Sequence, residues 1–488
     1  MTLSIGIQAA FAVFVTLAYY GLHWRQLRRR LPPGPRPFPI LGNIPQMTLK
    51  FPEKRFAQWR KKYGDIIFLR MFNTPVLVIN SAAAARDLLD KRSAIYSDRP
   101  YSVMMIDLLG WEHDFVLTPY NEEFRKHRRW MHKPFFSKSC LAAVADMQRR
   151  EAIALLMGLL NDPEDFGNHI YRYTASSLLQ YLYGHTVTSS DDEYLHVIEK
   201  VAEATMNFSA PGTVPVDFIP SLRYLPTWFP GAGFKRNAVW IKRAVRDAAQ
   251  RTYDLAESKL VSYAFTRYHD AASGTDTTHT VLMVFLLAMI LYPDVYAKAQ
   301  EEMVSVIGGA RLPTVNDRDA LPYLECILKE TYRCHRTQAG STGVPHVLRE
   351  DDEYSGCWIP KGTVVMPNLW SKFMLHDADA YPNPETFCPD RFNGLYENQE
   401  DPRNIVFGFG RRICPGRRFA EIGIWQAMAN IVATFDLGKA RDAMGNDITP
   451  PGTFSSGLVN HPHKFKCTIR PRSKQAVELI TNGKSTQT

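Results

Sequence analysis

The stretch that decides the fold reads Phe407-Gly408-Phe409-Gly410-Arg411-Arg412-Ile413-Cys414-Pro415-Gly416, and an apolar helical run follows it at residues 418–435. Its glycines allow the backbone to approach a flat ligand, and nearby amides and arginines can lower the pKa of a cysteine. A helix that starts at Pro415 would add positive potential at the sulfur. A lone cysteine is ordinarily a small buried hydrophobe, but the whole pattern predicts that the Cys414 thiolate binds a metal from a loop.

This stretch resembles the haem-binding loop of the cytochrome P450 monooxygenases. The family pattern F-x-x-G-x-R-x-C-x-G is matched by Phe407, Gly410, Arg412, Cys414 and Gly416. The resemblance implies that Cys414 is the axial ligand of the iron of haem b (iron protoporphyrin IX) and that Arg412 binds a haem propionate. It also assigns Phe407 and Gly416 to the cofactor site. A cysteine thiolate is the axial ligand that favours cleavage of the O–O bond.

A second motif, Ser273-Gly274-Thr275-Asp276-Thr277-Thr278, precedes an apolar stretch and resembles the A-G-x-D-T-T segment of the family's long central helix. A glycine there would let the helix pass close to an iron-bound ligand. A threonine hydroxyl and an acid one residue earlier can relay protons. We therefore interpret Asp276 and Thr277 as the catalytic proton relay. The alternative is that both are ordinary helix residues, with the hydroxyl bonded to its own turn.

A third motif places Glu330 three residues before Arg333 on a predicted helix. Residues at this spacing share one helix face and can pair, although a surface pair contributes little stability. Downstream, Phe387-Cys388-Pro389-Asp390-Arg391-Phe392 resembles the family's F-x-P-x-R-F segment. The resemblance implies a network of Glu330, Arg333 and Arg391 that supports the Cys414 loop without taking part in catalysis.

Two further cofactor contacts follow from the resemblance. Residues 123–129 resemble a helix with the pattern W-R-x-x-R, whose tryptophan and second arginine hold a haem propionate. Phe124 replaces the tryptophan, so that indole hydrogen bond is absent, whereas Arg128 can still pair with a carboxylate. His346 is a further predicted propionate contact.

The amino terminus predicts a membrane anchor. Residues 2–22 carry no charged side chain, Tyr19, Tyr20 and Trp24 would lie in the interface, and four arginines follow between residues 25 and 30. A helix of this length spans a hydrocarbon core of about 30 Å, and the arginines place the following chain in the cytosol. A cleaved signal peptide would carry its basic residues before the apolar run. We predict an uncleaved anchor in the endoplasmic reticulum membrane.

The chain is thus divided into an anchor at residues 1–24, a basic stop-transfer and proline-rich hinge at 25–45, and one haem domain at 46–488. The 45% of hydrophobic residues suffices for one large core, and the seven cysteines form no C-x-x-C pair, which fits a reduced compartment. The fold class is predicted to be mainly α with small β-sheets, the cytochrome P450 fold. Strands are expected at 66–71 and 75–80, and helices at 81–92, 121–133, 139–160 and 238–260.

The net charge of +9 can indicate nucleic-acid binding, but the sequence has no recognisable nucleic-acid-binding module, so no nucleic acid is expected as a partner. Basic residues instead flank the predicted haem loop: Arg125, Lys126, Arg128, Arg129, Lys133, Arg411, Arg412, Arg417 and Arg418. A basic face steers an acidic protein at long range. The resemblance implies NADPH-cytochrome P450 reductase as that partner. A merely solvated basic face remains the alternative.

Two regions depart from a simple match. The chain between residue 260 and Gly274 is shorter and more polar than the family pattern leads one to expect, which bears on haem access and activity. His461, His463 and Cys467 have a spacing that suggests zinc, but Pro462 and the strand-like surroundings predict a solvated strand.

The resemblance implies a monooxygenase that inserts one oxygen atom of O2 into a lipophilic small molecule of secondary metabolism, with electrons from NADPH through the reductase. One alternative is a haem-thiolate isomerase or dehydratase that works without O2. Another is a non-catalytic haem or interaction protein, if the segment before Gly274 is truncated.

Overall fold

The computed structural model of the chain describes residues 30–48, 50–189, 191–206, 214–258, 268–334, 343–369, 374–378, 380–394, 399–457 and 459–485. The predicted anchor at residues 1–24 lies outside the described residues. So does the chain at 259–267, within the segment that the sequence marks as short.

Helices make up most of the described chain. The α-helices are α1 (Pro52–Tyr63), α2 (Ala82–Ala85), α3 (Ser93–Tyr96), α4 (Glu122–Phe136), α5 (Lys138–Asn161), α6 (Phe166–Tyr183), α7 (Glu193–Met206), α8 (Pro215–Phe218), α9 (Gly233–Ser258), α10 (Tyr268–Leu291), α11 (Pro293–Ile307), α12 (Pro322–Cys334), α13 (Arg403–Val406), α14 (Arg417–Thr434) and α15 (Lys474–Ser485). Short 3-10 helices lie at Ile44–Gln46, Pro163–Asp165, Pro220–Tyr224, Val315–Ala320, Pro389–Phe392 and Gly410–Arg412, and π-helical turns at Arg86–Lys91 and Val103–Leu108.

The strands form small sheets at the edge of the helical body. They are β1 (Ile66–Met71), β2 (Thr74–Ile79), β3 (His346–Val347), β4 (Asp352–Tyr354), β5 (Cys357–Ile359), β6 (Val364–Pro367), β7 (Phe435–Arg441), β8 (Asp447–Ile448) and β9 (Cys467–Pro471). In the four-stranded sheet β1-β2-β6-β3, β2 and β6 are parallel, and the other neighbours are antiparallel. This sheet fixes His346 opposite Val365.

The central helix α10 packs against α6, α14 and α12. Its carboxyl-terminal part is apolar on all sides, and Phe285, Leu286 and Ala288 are fully buried, as expected of a helix with no polar face. Within the described residues, one helical stretch, Gly274–Leu291, is long and apolar enough to cross a membrane, but 67% of it is buried inside the protein. The apolar part of α10, which follows the acid–threonine motif, shares one hydrophobic core with α14, which follows the cysteine loop.

The predicted class, mainly α with small sheets, is confirmed, and the boundaries differ in detail. The strand at Ile66–Met71 is as predicted, whereas the predicted helix at 81–92 is the short α2 followed by a π-helical turn. The helix after the cysteine begins at Arg417 with Gly416 as its N-cap, two residues beyond Pro415.

The proline-rich segment is joined to the domain. The Phe68 N–H donates to the Pro33 carbonyl at 2.9 Å, and the Trp358 N–H donates to the Arg30 carbonyl at 2.6 Å. A Cβ at Gly34 would lie 1.9 Å from the Phe68 carbonyl oxygen, so only glycine permits this approach. The hinge therefore leaves the domain from a fixed place beside β1.

Candidate functional site

The cysteine loop is held by its own backbone. The Cys414 N–H donates to the Phe407 carbonyl at 2.8 Å, and Gly408 and Gly410 have φ of +77° and +52°, in the left-handed region that favours glycine. A Cβ at Gly410 would lie 2.1 Å from the Leu89 carbonyl oxygen. The glycine at 410 is thus required because the loop packs against the π-helical turn Arg86–Lys91, a contact that the sequence motif does not reveal.

The Cys414 sulfur lies in a buried setting with positive groups nearby. Burial raises the pKa of the Cys414 thiol, while the Gly416 amide and the Arg128 and Arg417 guanidinium groups act to lower it. The effect of burial is the larger, so the pKa of the Cys414 thiol remains raised when only protein groups surround it. A metal cation would supply the remaining positive charge, since coordination deprotonates a thiol outright. A Cβ at Gly416 would meet no atom within 4 Å, so there is open space at this end of the loop.

Arg412 points into the protein from the same loop. Its Nε donates to the Ser97 carbonyl and its Nη2 to the Thr118 carbonyl, both at 2.7 Å. The guanidinium lies 3.8 Å from the centre of the Phe124 ring, which takes the place of the family's tryptophan. Arg412 Nη1 is buried and has no hydrogen-bond partner in the described part of the chain. Burial lowers the pKa of Arg412 to about 10, and Arg128 adds to this effect.

Arg128 approaches from α4. Its Nη1 is likewise buried without a hydrogen-bond partner among the described residues. Burial lowers the pKa of Arg128, and the nearby Cys414 acts in the opposite direction. Two neighbouring guanidinium groups, each with an unsatisfied nitrogen, form a setting that an anionic ligand would complete, because a buried charge without a partner is costly.

His346 and a residue that the sequence reasoning missed, Arg99, belong to the same region. His346 is buried and its Nδ1 lies 2.8 Å from the Tyr96 carbonyl. Burial, Arg99 and Arg412 hold the pKa of His346 well below its usual value, so the imidazole is neutral. Arg99 donates to the carbonyls of Val116, Val344 and Pro345. Its only sequence signal is its place between Asp98 and Pro100.

The structure brings Glu330, Arg333 and Arg391 together in the core. Arg333 donates from Nε and Nη2 to the two oxygens of Glu330, both at 2.7 Å, and Arg391 Nε donates to Glu330 Oε1 at 3.2 Å. All three side chains are at most 2% exposed. The remaining arginine nitrogens donate to backbone carbonyls in the segment before α13. The ion pair of Glu330 and Arg333 is therefore buried and holds that segment in place, whereas the spacing alone suggests a surface pair.

The acid–threonine motif lies on α10. Thr277 Oγ1 donates to the Gly274 carbonyl at 3.4 Å, and Thr278 Oγ1 does so at 3.0 Å. A Cβ at Gly274 would lie 3.0 Å from Leu178 Cδ1, so this glycine also allows α10 to pack closely on α6. Consecutive helix residues do not face each other, and the buried Asp276 carboxylate points to a different neighbour, His461.

His461 is a site residue that the sequence reasoning misjudged. Its Nε2 lies 3.4 Å from Asp276 Oδ2 and its Nδ1 lies 2.9 Å from Thr280 Oγ1, so the predicted solvated strand is wrong for this residue. His463 instead bonds to Thr453. The groups of potential ligands in the described chain that could share a metal include His461 but neither His463 nor Cys467. A loop bend between β8 and β9 turns His461 toward α10.

A basic surface surrounds the cysteine loop on the outside. Arg125, Lys126, Arg129, Arg411 and Arg418 are exposed. A cleft of about 330 Å³ opens there and is lined by Arg128, Arg129, Met131, His132, Phe136 and Pro415. The cleft therefore lies next to the residue that follows Cys414.

Comparisons with known proteins agree with this arrangement. The sequence profile of the cytochrome P450 family matches residues 32–244 and 271–469. The chain is 39% identical to "Cytochrome P450 monooxygenase 176" of Postia placenta, with 96% of each chain covered. It is 37% identical to a cytochrome P450 monooxygenase of Armillaria gallica over 92% of this chain and 94% of that protein.

A third fungal relative, "Cytochrome P450 monooxygenase claR" of Ampulloclitocybe clavipes, is 36% identical over 93% of this chain and 88% of that protein. The relatives thus match nearly the full length, while the family profile leaves residues 245–270 unmatched. The chain belongs to the cytochrome P450 family of haem-thiolate monooxygenases.

Proposed function

We propose that this monooxygenase holds its haem through Cys414 and inserts one oxygen atom of O2 into a lipophilic small molecule. The observation that carries the proposal is the meeting of the Cys414 thiol with two half-buried arginines, Arg128 and Arg412, each of which has one buried nitrogen without a hydrogen-bond partner in the described chain. Haem b offers a matching set of groups, because it has an iron for the sulfur and propionates for the arginines.

The residues present fit this cofactor. Arg128 and Arg412 hold the propionates, and neutral His346 beside Arg412 is a further polar contact. The Phe407 carbonyl orients the cysteine loop by accepting the Cys414 N–H, and Gly416 leaves open space at the end of the loop. When bound, the haem supplies the centre at which O2 is activated.

Asp276 and Thr277 act as the proton relay. Thr277 Oγ1 is part-buried and weakly bonded to its own turn at 3.4 Å, so it can turn to donate elsewhere at small cost. The Asp276 carboxylate, also on α10, is buried with one neighbour on the solvent side, His461, whose side chain is 32% exposed. Protons can therefore reach the Asp276 carboxylate from solvent by way of His461.

NADPH-cytochrome P450 reductase supplies the electrons. The exposed arginines and Lys126 form a basic surface around the cleft beside Pro415, and such a surface attracts an acidic partner. Residues 1–24 anchor the domain at 46–488 to the endoplasmic reticulum membrane through the hinge at 25–45, with the domain in the cytosol. The lipophilic substrate belongs to secondary metabolism, as the family resemblance implies.

The test is turnover of a lipophilic compound library by the purified protein with reductase, NADPH and ¹⁸O2. We expect one ¹⁸O atom in the product. Thr277→Val should lower kcat by about 100-fold or more while NADPH oxidation continues, because proton donation contributes about 10²–10⁴. Thr278→Val, one position along and bonded to the same carbonyl, is the matched control. A product that forms without NADPH, or that contains no ¹⁸O, would contradict a monooxygenase reaction and support an isomerase or dehydratase.

A second candidate, a haem protein without turnover, is favoured by one observation. The family profile is interrupted at residues 245–270, immediately before the acid–threonine motif. Bound haem and reduction by the reductase without any product across the library would support this candidate.

A further inference from the structure

A side-chain cluster on α10 joins Asp276 of the acid–threonine motif to two histidines that the family motifs do not use. Asp276 and His279 are three residues apart and share one face of α10. His461 reaches them from the loop between β8 and β9, and one ligand atom from each of the three lies within 4.8 Å of the others. We propose that Asp276, His279 and His461 form a binding site for a divalent transition metal of the zinc class.

The hydrogen bonds around His461 indicate that a cation binds beside this side chain. Thr280 Oγ1 donates to the Asp276 backbone carbonyl at 2.8 Å, so its oxygen is left to accept from His461 Nδ1 at 2.9 Å. A neutral His461 therefore carries its proton on Nδ1 and turns the lone pair of Nε2 toward Asp276 Oδ2. Two acceptors that face each other in a buried place require a positive centre between them.

The spacing favours a metal ion over a shared proton. His461 Nε2 and Asp276 Oδ2 are 3.4 Å apart. A charge-assisted hydrogen bond would bring them to about 2.7–2.9 Å. Two ligands at about 2.0–2.1 Å from a tetrahedral zinc ion lie about 3.3–3.4 Å from each other. The observed spacing is that of two ligands around one ion.

Both histidines are oriented by second contacts, as metal ligands are. His461 is fixed by Thr280 on one nitrogen, and His279 bonds to the backbone of Gly167. Asp276 Oδ2 is buried without a hydrogen-bond partner in the described chain. Two imidazoles and a carboxylate leave a fourth zinc position for water. The ion can enter past His461, because this side chain is 32% exposed.

The site has a consequence for the proposed relay. A metal ion on Asp276 occupies the acid that would pass protons to Thr277, so zinc should inhibit turnover. This consequence depends on the proposed function, whereas metal binding does not. The two are separated by measuring bound metal and turnover on the same samples.

The experiment uses the haem-loaded full chain. Wild type, His279→Gln, His461→Gln and His463→Gln are dialysed against micromolar zinc chloride, and zinc per haem is measured by mass spectrometry. His463 is the matched control, because it lies two residues from His461 and bonds to Thr453 instead. We expect about one zinc per haem in wild type and His463→Gln, and affinity lower by about tenfold or more in the other two. Haem content shows that each variant is folded.

Wild type without bound zinc would overturn the proposal. Zinc binding by His279→Gln and His461→Gln that equals binding by wild type would also overturn the proposal. The metal would then be held elsewhere, for example by cysteines. One zinc per haem that is lost in both site variants but does not slow NADPH-dependent turnover would support the metal site and remove Asp276 from the relay.

Discussion

A buried group and a half-buried group of arginines in this protein differ in how their charge is balanced. In the closed network (Glu330, Arg333 and Arg391), each guanidinium meets the carboxylate and backbone carbonyls. Burial acts to lower the pKa of Arg333, but Glu330 outweighs it and the pKa is raised. In the open pair (Arg128 and Arg412), both pKa values are lowered by burial, and one nitrogen of each has no partner in the described chain.

The difference separates scaffold from binding site. A buried charge that the chain itself satisfies can hold segments together without any ligand. A buried charge that the chain leaves unsatisfied costs free energy until a ligand pairs with it. The closed network is thus complete without a ligand, whereas the proposed function assigns the open pair to an anionic group such as a haem propionate.

The largest expected effect is in the closed network. Glu330→Gln leaves two buried arginines without a counter-ion and should lower the free energy of unfolding by about 3–5 kcal/mol. Chemical denaturation followed by circular dichroism measures the loss. Asp447→Asn is the control, since its pair with Arg441 is exposed and should change the free energy by less than about 1 kcal/mol. Equal losses in both variants would refute the structural role of the network.

A substitution in the open pair should weaken haem binding without lowering the stability of the haem-free chain. Arg128→Ala removes a charge-assisted hydrogen bond to a propionate of about 1.5–3 kcal/mol, so haem affinity should fall by about 10–100-fold. The free energy of unfolding of the haem-free chain should not fall, because the buried guanidinium has no counter-ion there. Haem transfer to an acceptor protein and denaturation of the apoprotein measure the two quantities.

Arg129→Ala is the matched control for Arg128→Ala. Arg129 follows Arg128 on α4 and is exposed, so its removal should leave haem affinity unchanged. If the two variants lost haem equally, the effect would be one of general surface charge. If Arg128→Ala destabilised the apoprotein instead, Arg128 would belong with the scaffold.

The last effect concerns a buried acid near Arg99. Burial raises the pKa of Asp114 to about 6, against hydrogen bonds from the Leu117 and Val116 amides and attraction by Arg99. The folded state therefore binds this proton more tightly than the unfolded state. Ionised Asp114 costs stability, and the cost is absent below about pH 4, grows to about pH 6 and is then constant.

Asp114→Asn keeps an acceptor for the Leu117 amide and removes the charge. At 1.36 kcal/mol per pKa unit the variant should be more stable than wild type at pH 7.5 by up to about 3 kcal/mol. The advantage should shrink toward pH 4.5, and denaturation midpoints at the two pH values measure it. A less stable variant at pH 7.5 would show that the charge of Asp114 stabilises the protein by pairing with Arg99. An advantage independent of pH would show that ionisation of Asp114 is not its cause.

Short motifs were enough to predict the fold class and to name the residues of the candidate site. The strand at Ile66–Met71, the cysteine loop and the closed network could be located because each is carried by a few residues at set spacing. The structural reasons for two of the glycines could not be predicted from the sequence. Gly410 is required by the Leu89 carbonyl and Gly274 by Leu178, and both contacts join segments that are distant in the sequence.

Arg99 was missed and His461 was misjudged for the same reason. Nothing local marks an arginine whose partners are carbonyls at 116, 344 and 345. A histidine in a strand-like segment does not reveal that a bend brings it to α10, 181 residues earlier at Thr280. Long-range packing decides such positions, and sequence spacing carries no information about it.

The most direct test of the account is the absorption spectrum of the reduced, carbon-monoxide-bound protein for wild type, Cys414→Ala and Cys357→Ala. Cys357 lies in the β4–β5 hairpin and is the control cysteine. The account predicts the red-shifted Soret band of a thiolate-bound haem in wild type and Cys357→Ala, and its loss in Cys414→Ala. A red-shifted band that survives in Cys414→Ala, or is absent from haem-loaded wild type, would contradict it.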